Sequence, residues 1–471
     1  YGDAIQVNGT AGSNGSVRLI VKDSDFTSAV SSGNGGISMN PWGNINFFAD
    51  INNNVFSGIL NNVTTIGAIG MTNGMTADAD VTIRNNDLDN IIGGRGITVT
   101  ADGGTTDLLI DQNTIDGLGS GSKSAINISY TNNTGAGLGT VGTGNVTVSG
   151  NSIGQNGSPL WTGGDGSANA VLLQAMNGAS MTALIQNNVV DANATLEVVR
   201  VRAASTVGNP GGTINATVTG NNIQDTSGTH VEFDATAGTS TLAGTVNLSV
   251  TGNTLNPSGV LQISEGAAGT INVAQASSAA VGTVNGDATV TVTGSPTFGV
   301  SPPSLPATPS LPLLARQGAT GGQNADVLEL ATLQTMAEAA IARWVASGIG
   351  AAQLQLLESV SFGVADLKGA ILGLSTTGLV LIDSNAAGWG WFVDETPMAD
   401  EEFPWTAEMA GNMGARMDLL TVLMHELGHI IGLADHYPGD WGGVMDSYLD
   451  VGQRHMSEVQ LVGISPEEIG A

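Results

Sequence analysis

The residues best suited to chemistry lie in a short run near the carboxyl end of the chain. His425, Glu426 and His429 form a His-Glu-x-x-His sequence, and the apolar residues before it have helical spacing up to Gly428. Residues four positions apart share one face of a helix, so both imidazoles point the same way. Two imidazoles at this spacing can hold one zinc ion. Glu426 then lies where a general base takes a proton from a zinc-bound water.

A third zinc ligand is expected shortly after this helix. Gly432 suits a sharp turn at the helix end, because glycine enters left-handed conformations without steric cost. The chain can then swing back and deliver another ligand to the metal. Spacing favours Asp435, and the adjacent His436 is the alternative third ligand, of a type commoner at zinc sites. Neighbouring side chains usually point apart, so we expect only one of the two to bind.

The extended motif resembles that of a known peptidase clan. Five positions match the metzincin zinc peptidases, namely His425, Glu426, His429, Gly432 and Asp435. Most of that clan has histidine at the last position, and the aspartate here is similar to the snapalysin branch. Residues 444–447 fit the family's Met-turn, which implies that Met445 forms a hydrophobic floor under the metal. The best match is to matrixin-like domains at the ends of large bacterial surface proteins, which carry a run similar to residues 390–397.

The resemblance covers roughly residues 325–460 and implies an α+β zinc endopeptidase that acts on a protein or peptide substrate. In that fold an extended substrate pairs with the edge strand of a sheet. Apolar periodicity independently predicts a long helix over residues 326–347 and a short helix over 353–357. Alternation predicts strands over residues 360–364 and 379–383. The alternative without chemistry is a buried helix whose two histidines pair with neighbouring groups.

A cluster of acids precedes the predicted zinc helix. It contains Asp394, Glu395, Asp400, Glu401 and Glu402. Carboxylate oxygens are the ligands that calcium prefers, so a structural Ca²⁺ ion could be held here. A solvated acidic loop is the alternative, and the sequence favours it.

The composition excludes several classes of partner. Acids outnumber Lys and Arg by 41 to 12, which gives a net charge of -29. Nucleic acids and anionic membranes require basic surfaces, so neither is an expected partner. The chain has no cysteine, which excludes disulfides, thiolate metal sites and a cysteine-switch propeptide of the kind found in vertebrate matrixins. No apolar run is long enough to span a membrane.

The first residue is Tyr1, so we expect the chain to be a piece of a longer protein, with any secretion signal in the missing part. The acidic, polar composition favours an extracellular location, and the resemblance to domains of bacterial surface proteins implies a bacterial cell surface.

Residues 1–295 contain a repeat of the form apolar-x-apolar-x-x-Asn-x-apolar. Its asparagines are Asn54, Asn86, Asn113, Asn151, Asn188, Asn221 and Asn253, and a degenerate closing copy ends at Ser295. Alternating apolar residues predict short strands with one inward face, and stacked asparagine amides can bond from coil to coil while tolerating a left-handed turn. This predicts an all-β parallel β-helix, a solenoid. In the style of its repeat it resembles the right-handed β-helices of pectate-lyase-like and bacterial adhesin proteins, which implies a right-handed winding. An antiparallel β-sandwich array is the alternative.

The predicted solenoid has fewer candidate functions. Its scattered acids, including Asp107, Asp111, Asp116 and Asp165, form no cluster of the kind a polysaccharide enzyme needs, and we interpret them as solvated loop charges. A spacer or an adhesive surface that binds cell-surface or matrix polysaccharide is favoured.

Residues 296–324 are rich in Pro and then Gly, which predicts a linker before a peptidase domain at 325–471. Two alternatives for the whole chain are an adhesin with an idle peptidase-like domain and a β-helix polysaccharide enzyme.

Overall fold

The chain is described by a computed structural model that covers residues 3–10, 12–27, 36–59, 67–91, 94–116, 124–132, 141–154, 169–192, 197–203, 211–225, 231–256, 259–306, 313–316, 325–367, 370–376, 378–399, 416–433, 443–446 and 448–455. It divides into two compact units, Tyr1–Pro309 and Ser310–Ala471. The division falls within the Pro-rich part of the predicted linker.

The first unit consists of short strands and one short helix. In chain order they are β1 (Ile5–Asn8), β2 (Asn14–Lys22), β3 (Asp25–Thr27), β4 (Ile37–Asn40), β5 (Trp42–Asn52), β6 (Val55–Ser57), β7 (Gly67–Met75), β8 (Asp78–Arg84), β9 (Asp87–Asp89), β10 (Arg95–Ala101), β11 (Thr105–Asp111), β12 (Thr114–Ile115), β13 (Ile126–Tyr130), β14 (Thr143–Ser149), β15 (Ser152–Ile153), β16 (Val171–Ala175), β17 (Ser180–Gln186), β18 (Val189–Ala192), β19 (Val199–Ala203), β20 (Thr213–Thr219), β21 (Asn222–Asp225), β22 (Val231–Ala237), β23 (Gly244–Thr251), β24 (Thr254–Leu255), β25 (Val260–Glu265), β26 (Gly269–Val273), α1 (Ser278–Val284), β27 (Thr289–Thr293) and β28 (Thr297–Phe298).

These strands stack as the coils of a parallel solenoid. Each strand from β1 to β23 pairs in parallel with the strand three places later, so that three strands make one coil and equivalent strands form three faces. Along β17, buried and partly exposed residues alternate, which places Met181, Ala183 and Ile185 inside. All pairings between the named strands of this unit are parallel, so the predicted solenoid is confirmed and the antiparallel alternative is wrong. Its right-handed winding stays a prediction.

A buried ladder of asparagines runs along the solenoid. The Nδ2 of each member donates to the Oδ1 of the next over 2.8–3.0 Å. The members are Asn54, Asn86, Asn113, Asn151, Asn188, Asn221, Asn253 and Asn285. The predicted amide stacking is therefore confirmed. The left-handed residue, however, is the one before the ladder position, as at Asn53, Asn85 and Asn187, because the ladder residue itself turns inward to bond.

Two details of the repeat were predicted wrongly. The ladder ends at Asn285, after α1, and not at Ser295. Val290 and Val292 lie on β27, which pairs with β25 on a different face from β8 and its equivalents, so the apparent closing copy is out of phase.

Three of the four acids named above differ from the predicted solvated loop charges. Asp107 and Asp111 lie on β11, and Asp116 is buried after β12. Burial raises the pKa values of the Asp107 and Asp111 carboxyls. The fourth acid, Asp165, lies outside the described residues.

The second unit is α+β. Its elements are β29 (Leu314–Ala315), α2 (Leu330–Ala346), α3 (Ala351–Glu358), β30 (Ser361–Ala365), β31 (Gly373–Thr376), β32 (Leu379–Asp383), β33 (Trp391–Phe392), β34 (Met417–Asp418), α4 (Leu419–Ile430) and β35 (Tyr448–Leu449). The predicted strand at 379–383 is found with those bounds. The long helix begins at Leu330 rather than at 326, because Glu329 has an extended backbone and Leu328 N–H donates to Ser384 O.

A small sheet and two helices position the candidate site. The sheet order is β30-β32-β31, with β30 parallel to β32 and β31 antiparallel to it. Helix α4 packs against β31, β32 and α2, and α2 also packs against β30. The indole Nε1 of the fully buried Trp344 on α2 donates to Met424 O over 3.1 Å, which ties the two helices together. No helix among the described residues combines the length and the apolar character needed to cross a bilayer.

Candidate active site

Helix α4 carries the candidate chemistry, and Asp418 fixes its start. The Asp418 carboxylate accepts hydrogen bonds from Thr421 N at 3.1 Å and from Thr421 Oγ1 at 2.7 Å. A side-chain oxygen at this position satisfies an amide of the first turn that has no partner inside the helix. The helix then runs to Ile430 with an almost fully buried surface, so the side chains it presents to the site have little freedom to rotate.

The two imidazoles of α4 meet at their Nε2 atoms, which are 3.0 Å apart. The opposite nitrogens are both held by main-chain carbonyls: His425 Nδ1 lies 2.9 Å from Val444 O, and His429 Nδ1 lies 2.9 Å from Leu433 O. A carbonyl oxygen only accepts, so each Nδ1 must be the protonated nitrogen. In the neutral rings both Nε2 atoms therefore present lone pairs to each other. A cation between them, either a proton or a metal ion, removes that repulsion.

Glu426 lies beside this pair and is completely buried. Its Oε1 accepts from Leu313 N at 3.3 Å, while its Oε2 has no hydrogen-bond partner within the described part of the chain. Burial raises the pKa of the Glu426 carboxyl, and the positive potential of His425 and His429 opposes that shift. A buried carboxylate with one unsatisfied oxygen is costly unless something binds there, which favours a functional position.

A methionine packs under the histidine turn of the helix. A Cβ atom built on Gly428 would collide with the sulfur of Met445 and would lie 3.3 Å from Trp344 Cζ2. Met445 therefore occupies space that any residue larger than glycine at position 428 would take, and it is 4% exposed. Val444, whose carbonyl holds His425, directly precedes it. One turn of chain thus both orients a candidate ligand and closes the floor of the site.

The helix ends as the sequence predicted, in a glycine turn. Gly432 has φ of +94°, in the region that favours glycine, and Leu433 N–H bonds back to Gly428 O over 2.9 Å. This turn brings Leu433 O to the ring of His429. The predicted third ligand, Asp435 or its alternative His436, lies outside the described residues.

A buried ion-pair network braces the start of α4. The Arg454 guanidinium bonds both oxygens of Asp418 at 2.8 Å and reaches Asp394 Oδ2 at 2.7 Å. All three side chains are at most 1% exposed. Burial acts to lower the Arg454 pKa, but hydrogen bonding and attraction to the two aspartates outweigh it and raise that pKa above its ordinary value.

The same network bears on the predicted calcium loop. Asp394 is engaged by Arg454 and by Thr396 N, which donates to Oδ1 at 2.7 Å, and Glu395 is exposed. The other acids, Asp400, Glu401 and Glu402, lie outside the described residues. The calcium site stays a prediction.

The donor set agrees with zinc chemistry. Zinc–nitrogen bonds of about 2.0–2.1 Å in a tetrahedral arrangement place two nitrogens about 3.3 Å apart, close to the observed separation of the two Nε2 atoms. Hydrogen bonds from the outer ring nitrogens to carbonyls are the usual support of histidine ligands. No group of three or more His, Asp or Glu side chains converges within the described ranges, so His425 and His429 are the two candidate ligands there.

Several residues of the site carry no sequence signal that links them to the motif. Leu313 falls in the predicted linker, yet its N–H bonds to Glu426. Gly373 is one of many glycines, yet a side chain at that position would collide with Glu426. Asp418 had a local signal, since an acid directly before an apolar helical run is a typical helix cap.

Comparison of the chain with protein-family models, with curated proteins and with solved structures finds no match.

Proposed function

We propose that the chain is a zinc-dependent endopeptidase of the metzincin type, which the motif resembles. The observation that carries the proposal is the meeting of His425 and His429 at their Nε2 atoms, with both Nδ1 atoms committed to carbonyls. The buried Glu426 carboxylate and the methionine under Gly428 support it, because a peptidase site needs a base and a rigid floor. Asp435 is the proposed third ligand, with His436 as the alternative.

The proposed reaction is hydrolysis of a peptide bond. His425, His429 and the third ligand would hold zinc, which when bound acts as a Lewis acid that acidifies water and polarises the scissile carbonyl. Glu426 takes the proton of the attacking water and passes it to the leaving amine. Met445 stabilises the site and takes no part in proton transfer.

The first unit is proposed to be a spacer or adhesive surface that carries the peptidase outside a bacterial cell. Its support is the solenoid itself, a stack of short parallel strands held by an internal amide ladder. Such a stack presents a long lateral surface for contact with polymers. Polysaccharide is the proposed class of partner for that surface.

The test is the substitution Glu426→Gln in the whole chain. We expect hydrolysis of casein or gelatin to fall about 10²- to 10⁴-fold, because the residue that shuttles the proton is lost. Zinc measured by metal analysis should stay at the wild-type level, since both imidazoles remain. Glu358→Gln, an exposed change at the end of α3, is the matched control and should leave both quantities unchanged.

Wild-type rates in the Glu426→Gln protein, or a purified chain without zinc, would contradict the assignment. Zinc at the wild-type level in a chain that cleaves no protein would instead favour the adhesin with an idle domain. Release of reducing sugar from pectin or alginate would favour the polysaccharide enzyme.

A further inference from the structure

A short strand of the chain lies beside the candidate base Glu426. Strand β29 is antiparallel to the residues just before β31, through a bridge between Leu314 and Ile371, and is parallel to β35 on its other side. Leu372 N–H donates to Leu313 O over 2.8 Å, and Ala315 N–H donates to Ala370 O over 2.9 Å. The segment is thus held between two walls by main-chain bonds, which is how an extended peptide is bound by strand addition.

The strand reaches the reacting groups. Leu313 N–H donates to Glu426 Oε1 over 3.3 Å, and the Leu313 side chain is 1% exposed. Glu426 is the group that must give a proton to the nitrogen of a cleaved bond. A main-chain nitrogen in contact with that carboxylate therefore lies where the amide of a peptide substrate has to lie.

The far end of the segment is anchored at the surface. Arg316 Nε lies 2.8 Å from Asp450 Oδ2, and its guanidinium carbon is 5.3 Å from the centre of the Tyr448 ring. Arg316 N–H also donates to Leu449 O over 3.0 Å. The side chains of Arg316 and Asp450 are both partly exposed, so their ion pair contributes little binding energy. Its main effect is to fix the orientation of the segment.

We propose that Leu313–Arg316 is an intramolecular occupant of the peptide-binding groove and keeps the intact chain latent. The proposal rests on the proposed peptidase function. The walls at 370–372 and 448–449 offer one set of main-chain partners, so a substrate cannot use them while the segment does. Attachment to the same chain gives the segment an effective concentration on the order of millimolar, which favours it over a free peptide.

The occupant also defines the substrate class. The groove accepts an extended peptide with an aliphatic residue beside Glu426 and a basic residue three positions later. Such a peptide would reproduce the contacts of Leu313 and of Arg316.

The experiment displaces the segment in the full-length chain. Leu313→Asp places a charge in the buried site next to Glu426, and Ala315→Pro removes the N–H that bonds Ala370 O. The matched control is Leu305→Asp, an exposed leucine of the Pro-rich stretch that is 63% exposed. We expect hydrolysis of a quenched peptide with the sequence of residues 311–316 to rise at least tenfold in both groove variants and to stay unchanged in the control. Circular dichroism verifies that the helices of each variant are retained.

A second measurement does not depend on turnover. In the Glu426→Gln background, a fluorescent peptide of residues 311–316 should bind at least tenfold more tightly when Ala315→Pro or Leu313→Asp is also present. Equal affinity with and without those changes would overturn the proposal that Leu313–Arg316 occupies the peptide site. Absence of binding in all of the proteins would overturn it as well. No hydrolysis in any variant together with the expected binding difference would refute the peptidase and leave the occupant standing.

Discussion

At the residue scale, the position of Glu426 depends on a glycine that faces it. A Cβ atom on Gly373 would lie 2.8 Å from Glu426 Cγ, from Glu426 Oε1 and from Val422 Cγ1. Contacts that short do not occur between a real Cβ and its neighbours, so something has to move. The edge strand β31 and helix α4 approach this closely only because position 373 has no side chain.

Gly373→Ala should therefore reduce hydrolysis without loss of the fold. We expect at least a tenfold fall in kcat/KM, because a displacement of about 1 Å in a catalytic group can cost about a hundredfold in rate. Zinc content should be unchanged, since the three atoms nearest to a Cβ at this position belong to Glu426 and Val422 and not to an imidazole. Gly350→Ala serves as the control, because there a Cβ would meet only the flexible end of Gln353. Equal rates in both variants would show that Glu426 adapts freely and is not positioned by β31.

Some site residues are positioned by local helix geometry, and others are positioned by contacts between distant parts of the chain. The two imidazoles share a face because four residues make about one helical turn, and that follows from sequence spacing alone. Leu313, which bonds to Glu426, and Gly373, which leaves room for it, lie more than fifty positions away in the chain. Their meeting depends on how the sheet packs on the helix, for which local periodicity carries no information.

At the element scale, the Asp394–Arg454–Asp418 network holds the start of α4. Arg454 lies far beyond the helix in sequence, and it makes two hydrogen bonds to the capping aspartate and one to Asp394. All three charged groups lose their hydration on burial, which is unfavourable. The close, well-directed hydrogen bonds among them compensate for that loss. Removal of the cation alone leaves two buried carboxylates without a counter-charge.

Arg454→Met should destabilise the second unit by about 3–5 kcal/mol, the usual cost of breaking a buried ion pair from one side. Urea unfolding measures this change when it is followed by the helical circular dichroism, to which α2 and α4 contribute. Arg416→Met, at an exposed arginine, should shift the free energy of unfolding by less than about 0.5 kcal/mol. A shift that disappears at high salt would contradict the buried network, because buried pairs are screened far less than exposed ones.

The asparagine ladder plays the corresponding part in the solenoid. Asn151 Nδ2 donates to Ile110 O, Ser149 O and Asn188 Oδ1, while its own Oδ1 accepts from the amide and side chain of Asn113. The side chain thus bonds main-chain groups of two coils and the asparagine side chain of a third. The sequence pattern predicts only that the ladder asparagine lies at a turn after a strand. The structure shows that its side chain also bonds main-chain groups near the ends of adjacent strands.

Asn151→Ala should therefore cost on the order of 3 kcal/mol or more in the free energy of unfolding of the first unit. Several buried donors and acceptors lose their partner, at about 1–3 kcal/mol each. Asn44→Ala is the control, because Asn44 is exposed and makes one side-chain bond, at 3.4 Å, within the described residues. Chemical denaturation followed by the strand signal separates the two. Equal destabilisation would mean that the ladder contributes no more than a surface contact.

At the scale of the whole molecule, the repeat made the fold of the first unit predictable from the sequence. The fold of the second unit was predictable only in part. A seven-fold recurrence of one pattern specifies a solenoid even when single strands of two or three residues, such as β12 and β24, carry no propensity signal. The pairing of β29 with β35 joins residues more than 130 positions apart, and its two strands are two residues long. Proline and glycine around residue 314 predict a linker, and only the tertiary contacts show that this segment pairs with residue 371 and with β35.

The proposed metal also predicts different responses in the two units. Of the five histidines, four are His425, His429, His436 and His455, so a chelator should act on the unit Ser310–Ala471 alone. Loss of a ligand present at about a thousand times its dissociation constant removes about 4 kcal/mol of stability from the state that binds it. Hydrogen exchange followed by mass spectrometry should therefore show faster exchange in peptides from α4 after chelation, with peptides from β7 to β23 unchanged. The same treatment should have no effect on His429→Ala, which has already lost a ligand. Faster exchange in both units, or in neither, would mean that zinc does not couple to the fold through the two imidazoles of α4.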